Sequence, residues 1–537
     1  MSEEVEMKRI EIYDTTLRDG SQGEGVSFSV EDKLQICRRL DDLGVDFIEG
    51  GYPLSNPKDA AFFEQAKELS LANSHLTAFG MTRRKGISAA EDVGLNALLA
   101  AETQWVTVVG KTWDIHARDV LGVTLEENIA MIGDSVEYLT RQGRKVVYDA
   151  EHFFDGLNAN PAFAIATVKA AASAGAVLVC LCDTNGGTLP SQIQSAVKEA
   201  IAAVGIPVGI HPHNDSGLAV ANALAAITAG ATQVQGTING IGERCGNVDL
   251  TTVIANLRIK LGYDCLHGGS LKHLTEVSRF VFETANLNPI NNQPYVGVSA
   301  FAHKGGMHVH AVNKMASSYE HVDPALVGNT RRILVSELSG ISNVAAKAGR
   351  KFNIENDRAA LRKVLERVNE LEANGYQFEA AEGSFDLILR KQIGRYRKFF
   401  DLKSYRCAVS RSAEAPPTTK ATLTLAAKGQ EINSSAEGDG PINALDGALR
   451  RALEPIYPAI GQLHLIDYKV RVVNAGAESA AKVRVVIQYR SPEGVFGTVG
   501  VSENIIEASW QALVDALEYR LIHDEEKRSV AIPAAKA

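Results

Sequence analysis

Two short runs hold side chains whose types and spacing suit a divalent cation. Asp14-Thr15-Thr16-Leu17-Arg18-Asp19-Gly20 follows a strand-like segment, Arg9-Ile10-Glu11-Ile12-Tyr13. Far downstream, His211-Pro212-His213-Asn214-Asp215 ends another strand-like run. In extended chain, residues i and i+2 point to one side, so His211 and His213 can meet one ion, and Pro212 stiffens the link. With a carboxylate such as Asp19 as third ligand, this makes an N/O site open to water or substrate. The plain alternative, two unrelated loop histidines, loses ground once a carboxylate stands on a second strand end. Arg18 beside Asp19 reads either as a surface ion pair or as an oxyanion clamp. At a strand end within a polar rim, a fixed guanidinium stabilises developing enolate or alkoxide charge. Glu49 could hold that guanidinium in place.

Other segments offer less specific chemistry. Asp183-Thr184-Asn185-Gly186-Gly187 can bind a substrate carboxylate through the Thr184 hydroxyl and turn N–H groups, and reads equally well as a plain turn with an Asx cap. The run from Gly240 to Asn247 has GxG without the full dinucleotide fingerprint and its acidic partner, which rejects a nucleotide loop. Cys245 within it is expected to pack rather than ligate a metal. The histidines of Ala302-His303-Lys304-Gly305-Gly306-Met307-His308-Val309-His310 could bring acid–base groups over the rim from another segment or subunit. Taken locally, they read more simply as helix-start histidines without a role.

These side chains need a frame. Strand-like runs at Ile10–Tyr13, Phe47–Gly50, Leu76–Gly80, Trp105–Val109, Val146–Asp149, Val177–Cys182, Val208–His211 and Gln233–Ile238 alternate with amphipathic stretches such as Glu31–Leu43 and Pro190–Val204. Eight β/α units predict an α/β fold with a (β/α)8 TIM barrel over residues 1–270. An open doubly wound sheet is disfavoured because no Gly-rich fingerprint follows the first strand. In such a barrel the active site lies at the C-terminal strand ends. Arg18 and Asp19 follow the first strand there, Glu49 ends the second, and Glu151 and His152 follow the fifth. Thr184 follows the sixth, His211 and His213 the seventh, and Glu243, Arg244 and Asn247 the eighth. Structural need alone does not favour so many polar side chains at one rim.

Residues 271–410 read as helical connecting subdomains, with Ala359–Asn374 a clear amphipathic helix. Residues 411–420, containing Pro416-Pro417, read as a linker. The remainder, 411–537, contains an internal repeat. Ile442/Ile506, Ala444/Ala508, Ala448/Ala512, Leu449/Leu513, Ala452/Ala516 and Leu453/Leu517 match at one offset of 64 residues. Two strand-strand-helix units predict a pseudo-symmetric α+β module that binds an effector or dimerises, by analogy of fold.

The chain has 537 residues, enough for two or three domains, with 45% hydrophobic and 22% charged residues, as in soluble globular proteins. Its net charge of −9 argues against nucleic acid or an anionic membrane as main partner. No apolar run reaches membrane-spanning length, and Met1 to Arg9 has no signal-peptide core. The six cysteines make no CxxC and no disulfide framework, and Cys180 and Cys182 read as buried thiols. A cytoplasmic location is the simplest expectation.

Taken together, these motifs resemble the acyl-CoA Claisen condensing enzymes of the metal-dependent TIM-barrel family, which includes 2-isopropylmalate, homocitrate and citramalate synthases. The resemblance covers essentially the whole chain. Its specific parts are Asp14–Gly20, His211–Asp215, Gly242–Asn247 and His303–His308. The repeat after residue 420 resembles the family's leucine- or isoleucine-sensing domain. Within the family the (R)-citramalate synthase branch is the nearer likeness. It is carried by Gln22–Ser29, Glu49-Gly50-Gly51-Tyr52-Pro53, Asp149–Gly156, Tyr319–Pro324 and Leu334–Gly340; Tyr52 stands where that branch is expected to have Trp.

The resemblance implies Asp19, His211 and His213 as metal ligands with Asn247 as a fourth, for a divalent cation such as Mg, Mn or Zn. Thr184 then binds the 2-oxoacid carboxylate and Arg18 the keto oxygen, with Glu49 beside it. Glu151 matches the acidic residue that helps deprotonate the acetyl methyl group. His308 and Tyr319 match residues near the acetyl-CoA thioester, donated from a neighbouring subunit, and His303 a second motif histidine. The implied reaction condenses acetyl-CoA with pyruvate and hydrolyses the thioester, giving citramalate and CoA for isoleucine biosynthesis through 2-oxobutanoate. An isoleucine or leucine effector and a homodimer or higher homo-oligomer are also implied. The rivals are 2-isopropylmalate synthase, homocitrate synthase, a metal-dependent C–C lyase and a non-catalytic amino-acid sensor. The tandem repeat argues against the lyase, and a sensor has no need for metal ligands.

Overall fold

The computed structural model describes residues 8–268, 270–334, 357–411, 416–473 and 481–531, with Val344, Phe352 and Ile354. Eight parallel strands run in sequential order: β1 (Glu11–Asp14), β2 (Phe47–Gly51), β3 (His75–Met81), β4 (Trp105–Lys111), β5 (Lys145–Glu151), β6 (Leu178–Asp183), β7 (Val208–Pro212) and β8 (Gln233–Gly236). Because β1 pairs with both β2 and β8, the sheet closes into a barrel. The bounds lie within two residues of those expected at either end.

The strands are buried on both faces, which is why they read as short apolar runs. Ile12, Ile48, Val106, Val146, Leu181, Ile210 and Val234 join one core with the surrounding helices. Local signals set the helix ends. The Val30–Leu43 helix opens on a capping box in which the Ser29 hydroxyl accepts from the Asp32 N–H and Asp32 accepts from the Ser29 N–H. The Pro190–Val204 helix begins with proline in its first turn and stops at Gly205.

The barrel unit runs through Phe301 and takes in Val322–Thr330. The Leu274–Thr284 helix adds Leu274, Val277 and Val281 to the barrel core, so this unit continues past the boundary expected at 270. No helix among the described residues is long and apolar enough to cross a membrane.

The second compact unit comprises Ala302–His321 and the chain from Arg331 onward. It starts with a parallel pair, β9 (Ala302–His303) and β10 (Arg332–Ile333), and the Gly306–Lys314 helix. The amphipathic helix expected at 359–374 spans Arg358–Ala373. Two antiparallel sheets follow, β11 (Phe400–Ser410), β12 (Thr418–Ala427) and β13 (Gln430–Gly438), then β14 (His464–Val472), β15 (Val483–Ser491) and β16 (Gly494–Ser502). Each leads into a helix, Pro441–Leu453 and Ile505–Ala531. The repeated positions are packing positions: Ala444, Ala448, Leu449 and Leu453 are buried, as are Ala508, Ala512, Leu513 and Leu517.

Two expectations are corrected here. Each repeat has three strands rather than two. The stretch expected as a linker at 411–420 instead joins a hairpin, since Val409 on β11 pairs with Thr419 on β12. A boundary at 411 therefore cuts a sheet. The strand β11 escaped notice because its residues, Asp401, Lys403, Ser404 and Arg406 among them, lack an apolar period, and Pro416-Pro417 mark a turn as readily as a linker. Residues 412–415 lie outside the described residues, as do 335–340 of the Leu334–Gly340 motif.

Glu518, on the inner face of the last helix, is buried and accepts a 2.6 Å hydrogen bond from the Tyr396 hydroxyl. Burial pushes its pKa up to about 7. A carboxyl that holds its proton more tightly folded than unfolded leaves stability intact at acid pH and loses it as pH rises toward that value. Glu518→Gln is therefore expected to exceed the parent by about 1–3 kcal/mol near pH 8 and to match it near pH 5. Hydrogen exchange of this helix at the two pH values measures the difference; an equal shift at both rules out ionisation as its origin.

Candidate active site

At the C-terminal ends of the strands, Arg18, Asp19, Glu151, Thr184, His211 and His213 line one cavity of about 360 Å³. The cavity thus gathers six of the expected site residues from the ends of β1, β5, β6 and β7. Arg18 is its anchor. Its Nε donates to Glu49 Oε2 at 2.5 Å, its Nη1 to Asp19 Oδ2 at 2.8 Å, and its guanidinium lies 3.9 Å from the Phe79 ring centroid. Glu49, grouped beside Arg18 at the substrate and expected to hold its guanidinium, takes the second of these places. It is fully buried, with Tyr13 OH on Oε1 at 2.7 Å and Thr15 Oγ1 on Oε2 at 2.5 Å. Its oxygens are occupied, so it orients Arg18 rather than facing the cavity.

Asp19 lies among potential metal ligands. Its Oδ1 accepts from Asn247 Nδ2 at 2.9 Å, and its Oδ2 is 3.6 Å from His211 Nε2. Burial opposes the Asp19 charge, but Arg18 and the two histidines outweigh it and hold the pKa well below the usual carboxylate range. His211 Nδ1 meets Gln235 Oε1 at 2.9 Å, and Gln235 Nε2 donates to Asp149 Oδ1 at 3.0 Å. The carboxylate fixes the amide, the amide places the imidazole proton on Nδ1, and Nε2 faces Asp19 with its lone pair. Two lone-pair atoms at that separation suit ligands about 2.0–2.2 Å from a shared ion.

His213 completes the group, with ligand atoms of Asp19, His211 and His213 all within 4.8 Å of one another. Burial, then the neighbouring His211, lowers the His213 pKa to about 4, leaving a neutral ring suited to ligation. Its Nδ1 and Asn247 Oδ1 are buried without hydrogen-bond partners. Orphaned polar atoms beside a carboxylate and two imidazoles fit a divalent cation with N and O donors.

The Gly240–Asn247 loop brings Asn247 there. A Cβ on Gly246 (φ +88°) would lie 2.0 Å from Gly240 O, and one on Gly242 (φ +154°) 2.4 Å from Asn247 Nδ2. The glycines that suggested a nucleotide loop serve this tight return instead. Arg244 also adopts a left-handed backbone, at φ 56°. Its side chain grips both Asp215 oxygens at 2.8 Å and donates to Thr184 O at 2.7 Å, tying the loops after β6, β7 and β8 together. Cys245, expected to pack, is exposed, because the return points the residues between the glycines outward.

Thr184 Oγ1 accepts from the His152 N–H at 2.9 Å, leaving its own O–H to donate into the cavity. Glu151 forms an ion pair with Lys111, its register partner on β4. The sequence reading missed Lys111, Asp149 and Gln235. Strand parity holds the signal: Asp149 is two residues before Glu151, so both side chains take the same face of β5. Tyr52, the departure from the family pattern, lines the cavity with its ring edge-on to Phe79.

His308 and Tyr319 lie in the second compact unit, exposed, with ring centroids 4.3 Å apart. His303 Nε2 contacts Glu320 Oε1 at 3.0 Å, and Arg331 grips both Glu320 oxygens at 2.6 Å. That network gives His303 a structural partner.

Two substitutions test the metal reading. His213→Ala should abolish Mn2+ binding measured by calorimetry. Gln235→Leu should weaken it about 10–100-fold by freeing the His211 ring. Unchanged affinity in the second would show that the amide does not orient His211.

Comparison with known proteins agrees with this geometry. The family described as HMGL-like matches residues 9–281, a homocitrate synthase post-HMGL domain-like family matches 295–376, and the LeuA allosteric (dimerisation) domain matches 379–521. An (R)-citramalate synthase of Aquifex aeolicus is 51% identical over 97% of this chain and 99% of its own length. One from Geobacter sulfurreducens is 49% identical over 97% and 99%. A probable 2-isopropylmalate synthase of Methanopyrus kandleri is 34% identical over 94% and 97%. With likeness of this degree running almost from end to end, over a barrel rim that carries the expected polar side chains, the chain belongs to the (R)-citramalate synthase family.

Proposed function

We propose that the chain condenses acetyl-CoA with pyruvate and hydrolyses the resulting thioester, releasing citramalate and CoA. The carrying observation is the single cavity that unites Arg18, Asp19, His211, His213, Thr184 and Glu151. A divalent cation, Mg, Mn or Zn, held by Asp19, His211, His213 and Asn247 supplies Lewis-acid polarisation of the ketone when bound. Thr184 donates its free hydroxyl to the pyruvate carboxylate. Arg18, with Nε and Nη1 taken up by Glu49 and Asp19, directs Nη2 to the ketone oxygen. Phe79 over the guanidinium keeps water from that face.

Glu151 removes a proton from the acetyl methyl group, a weak acid whose enolate needs electrostatic stabilisation. The enolate carbon bonds to the ketone carbon, and the former ketone oxygen gains charge beside Arg18, then a proton. Water adds to the thioester carbonyl, and CoA leaves as a thiolate that takes up a proton. His308 and Tyr319 are assigned to the thioester on resemblance. Lys111, paired with Glu151 across the β4–β5 register, orients that carboxylate for its task. The C-terminal repeat is assigned an amino-acid effector, isoleucine or leucine, and a role in forming a homodimer or larger assembly. The product feeds isoleucine synthesis through 2-oxobutanoate, in the cytoplasm.

Replacing Glu151 by Gln should lower kcat by about 10²–10⁴. Lys111→Met should lower kcat about tenfold or more by freeing the Glu151 carboxylate, whereas Lys111→Arg should restore it. An unchanged kcat in Lys111→Met would reduce Lys111 to a packing role. The substrate assignment is tested by CoA release from acetyl-CoA with pyruvate, 2-oxoisovalerate and 2-oxoglutarate in turn, with and without isoleucine or leucine. Turnover with pyruvate is expected, with isoleucine inhibiting; turnover with 2-oxoisovalerate alone would establish a 2-isopropylmalate synthase.

A further inference from the structure

A second set of metal-ligating atoms lies inside the barrel beside the Asp19–His211–His213 group. Asp149 on β5 and Cys180 and Cys182 on β6 each offer one ligand atom, and the three atoms lie within 4.8 Å of one another. All three residues are buried. The register explains the cluster. Asp149 stands opposite Cys180, Cys182 stands opposite His211, and residues two apart on β6 share a face. Asp149 and Cys182 also line the active-site cavity, so an ion and its water can reach them through the same mouth. Two sulfurs and one carboxylate select thiophilic cations, whereas the neighbouring N/O set also suits harder ones. The proposed reaction uses neither thiol.

We propose that Asp149, Cys180 and Cys182 form a second cation site, selective for thiophilic ions such as Zn2+ or Cd2+, whose occupation inhibits the enzyme. Binding forms two sulfur–metal bonds and releases both thiol protons to solvent, without oxidant or reductant. The cavity side leaves a coordination position for water. A cation on the Asp149 carboxylate competes with Gln235 Nε2, which donates there at 3.0 Å. The Gln235 amide then loses its anchor, and with it the fixed orientation of His211. The inhibition rests on the proposed reaction; the binding does not.

The test uses full-length protein saturated with Mg2+, carrying Cys245→Ser to remove the exposed thiol, and titrated with Cd2+. Sulfur-to-cadmium charge-transfer absorption reports thiolate ligation, and nitrogen and oxygen ligands do not produce it. A band saturating at one Cd2+ per chain is expected. It should vanish when either Cys180→Ser or Cys182→Ser is added and persist with His213→Ala, and thermal melts identify any variant that fails to fold. Initial rates of thioester loss should fall along the same titration curve. Absence of a saturable band, or a band that survives in both folded cysteine variants, overturns the site. Rates that stay constant while the band saturates overturn the inhibition. Cadmium binding of this kind in a protein that turns over no 2-oxoacid would reject the reaction and leave the site standing.

Discussion

A buried guanidinium sets the terms for the rest of the active site. Arg18 is held at the rim between Glu49 and Asp19, with Glu49 itself anchored by Tyr13 and Thr15. One cation between two carboxylates leaves negative charge in excess, and a buried charge is costly unless it is compensated. Asp149 adds a further carboxyl nearby and is met by an amide instead of a cation. Burial and the charge of Glu49 accordingly push its pKa up to about 7. Glu151 is balanced by Lys111. The interior is therefore short of positive charge on the side where His211 and His213 offer ring nitrogens. The cation proposed there offsets the same imbalance that Arg18 begins to correct.

Backbone geometry holds that balance in place. Asn247 reaches Asp19 only because Gly242 and Gly246 let the loop after β8 double back on itself. Arg244 and His152 take left-handed conformations without being glycine, at φ 56° and 57°. Such conformations cost of order 1–3 kcal/mol each and persist where surrounding contacts impose them. Here both contacts end on Thr184, His152 through its N–H to the hydroxyl and Arg244 through its guanidinium to the carbonyl. The strain thus collects around the residue assigned to the substrate carboxylate, where placement matters more than local stability.

Much of this was legible in the sequence, and the exceptions share a cause. Asp19, His211 and His213 were readable because a charged or metal-ligating residue at the end of an apolar strand has no structural reason to be there. Lys111, Asp149 and Gln235 sit within or at the end of strands, where polarity alone does not distinguish an inward side chain from an outward one. Only the register, with Lys111 beside Glu151 and Asp149 beside Cys180, shows which face each takes. Glu49 was legible as the partner of Arg18, but sequence carries no signal for Tyr13 and Thr15 closing over it. Cys245 was misjudged for a similar reason: a small thiol favours burial on average, but a loop pinned by two flanking glycines leaves it no interior to enter.

The C-terminal repeat shows the same asymmetry between buried and exposed positions. The strands β13 and β16 span Gln430–Gly438 and Gly494–Ser502, and the residues matching in the two helices are mainly those packed in the core. Packing constrains both copies alike, because a changed volume in a dense core costs stability wherever it falls. The outer strands β11 and β14 face a weaker constraint. Most of their side chains are exposed or half-buried, and their sequences differ. An effector or a partner subunit meets the protein through surface residues. Under the proposed effector role, the positions free to diverge between the two copies are therefore also those available for different recognition on the two halves of the repeat.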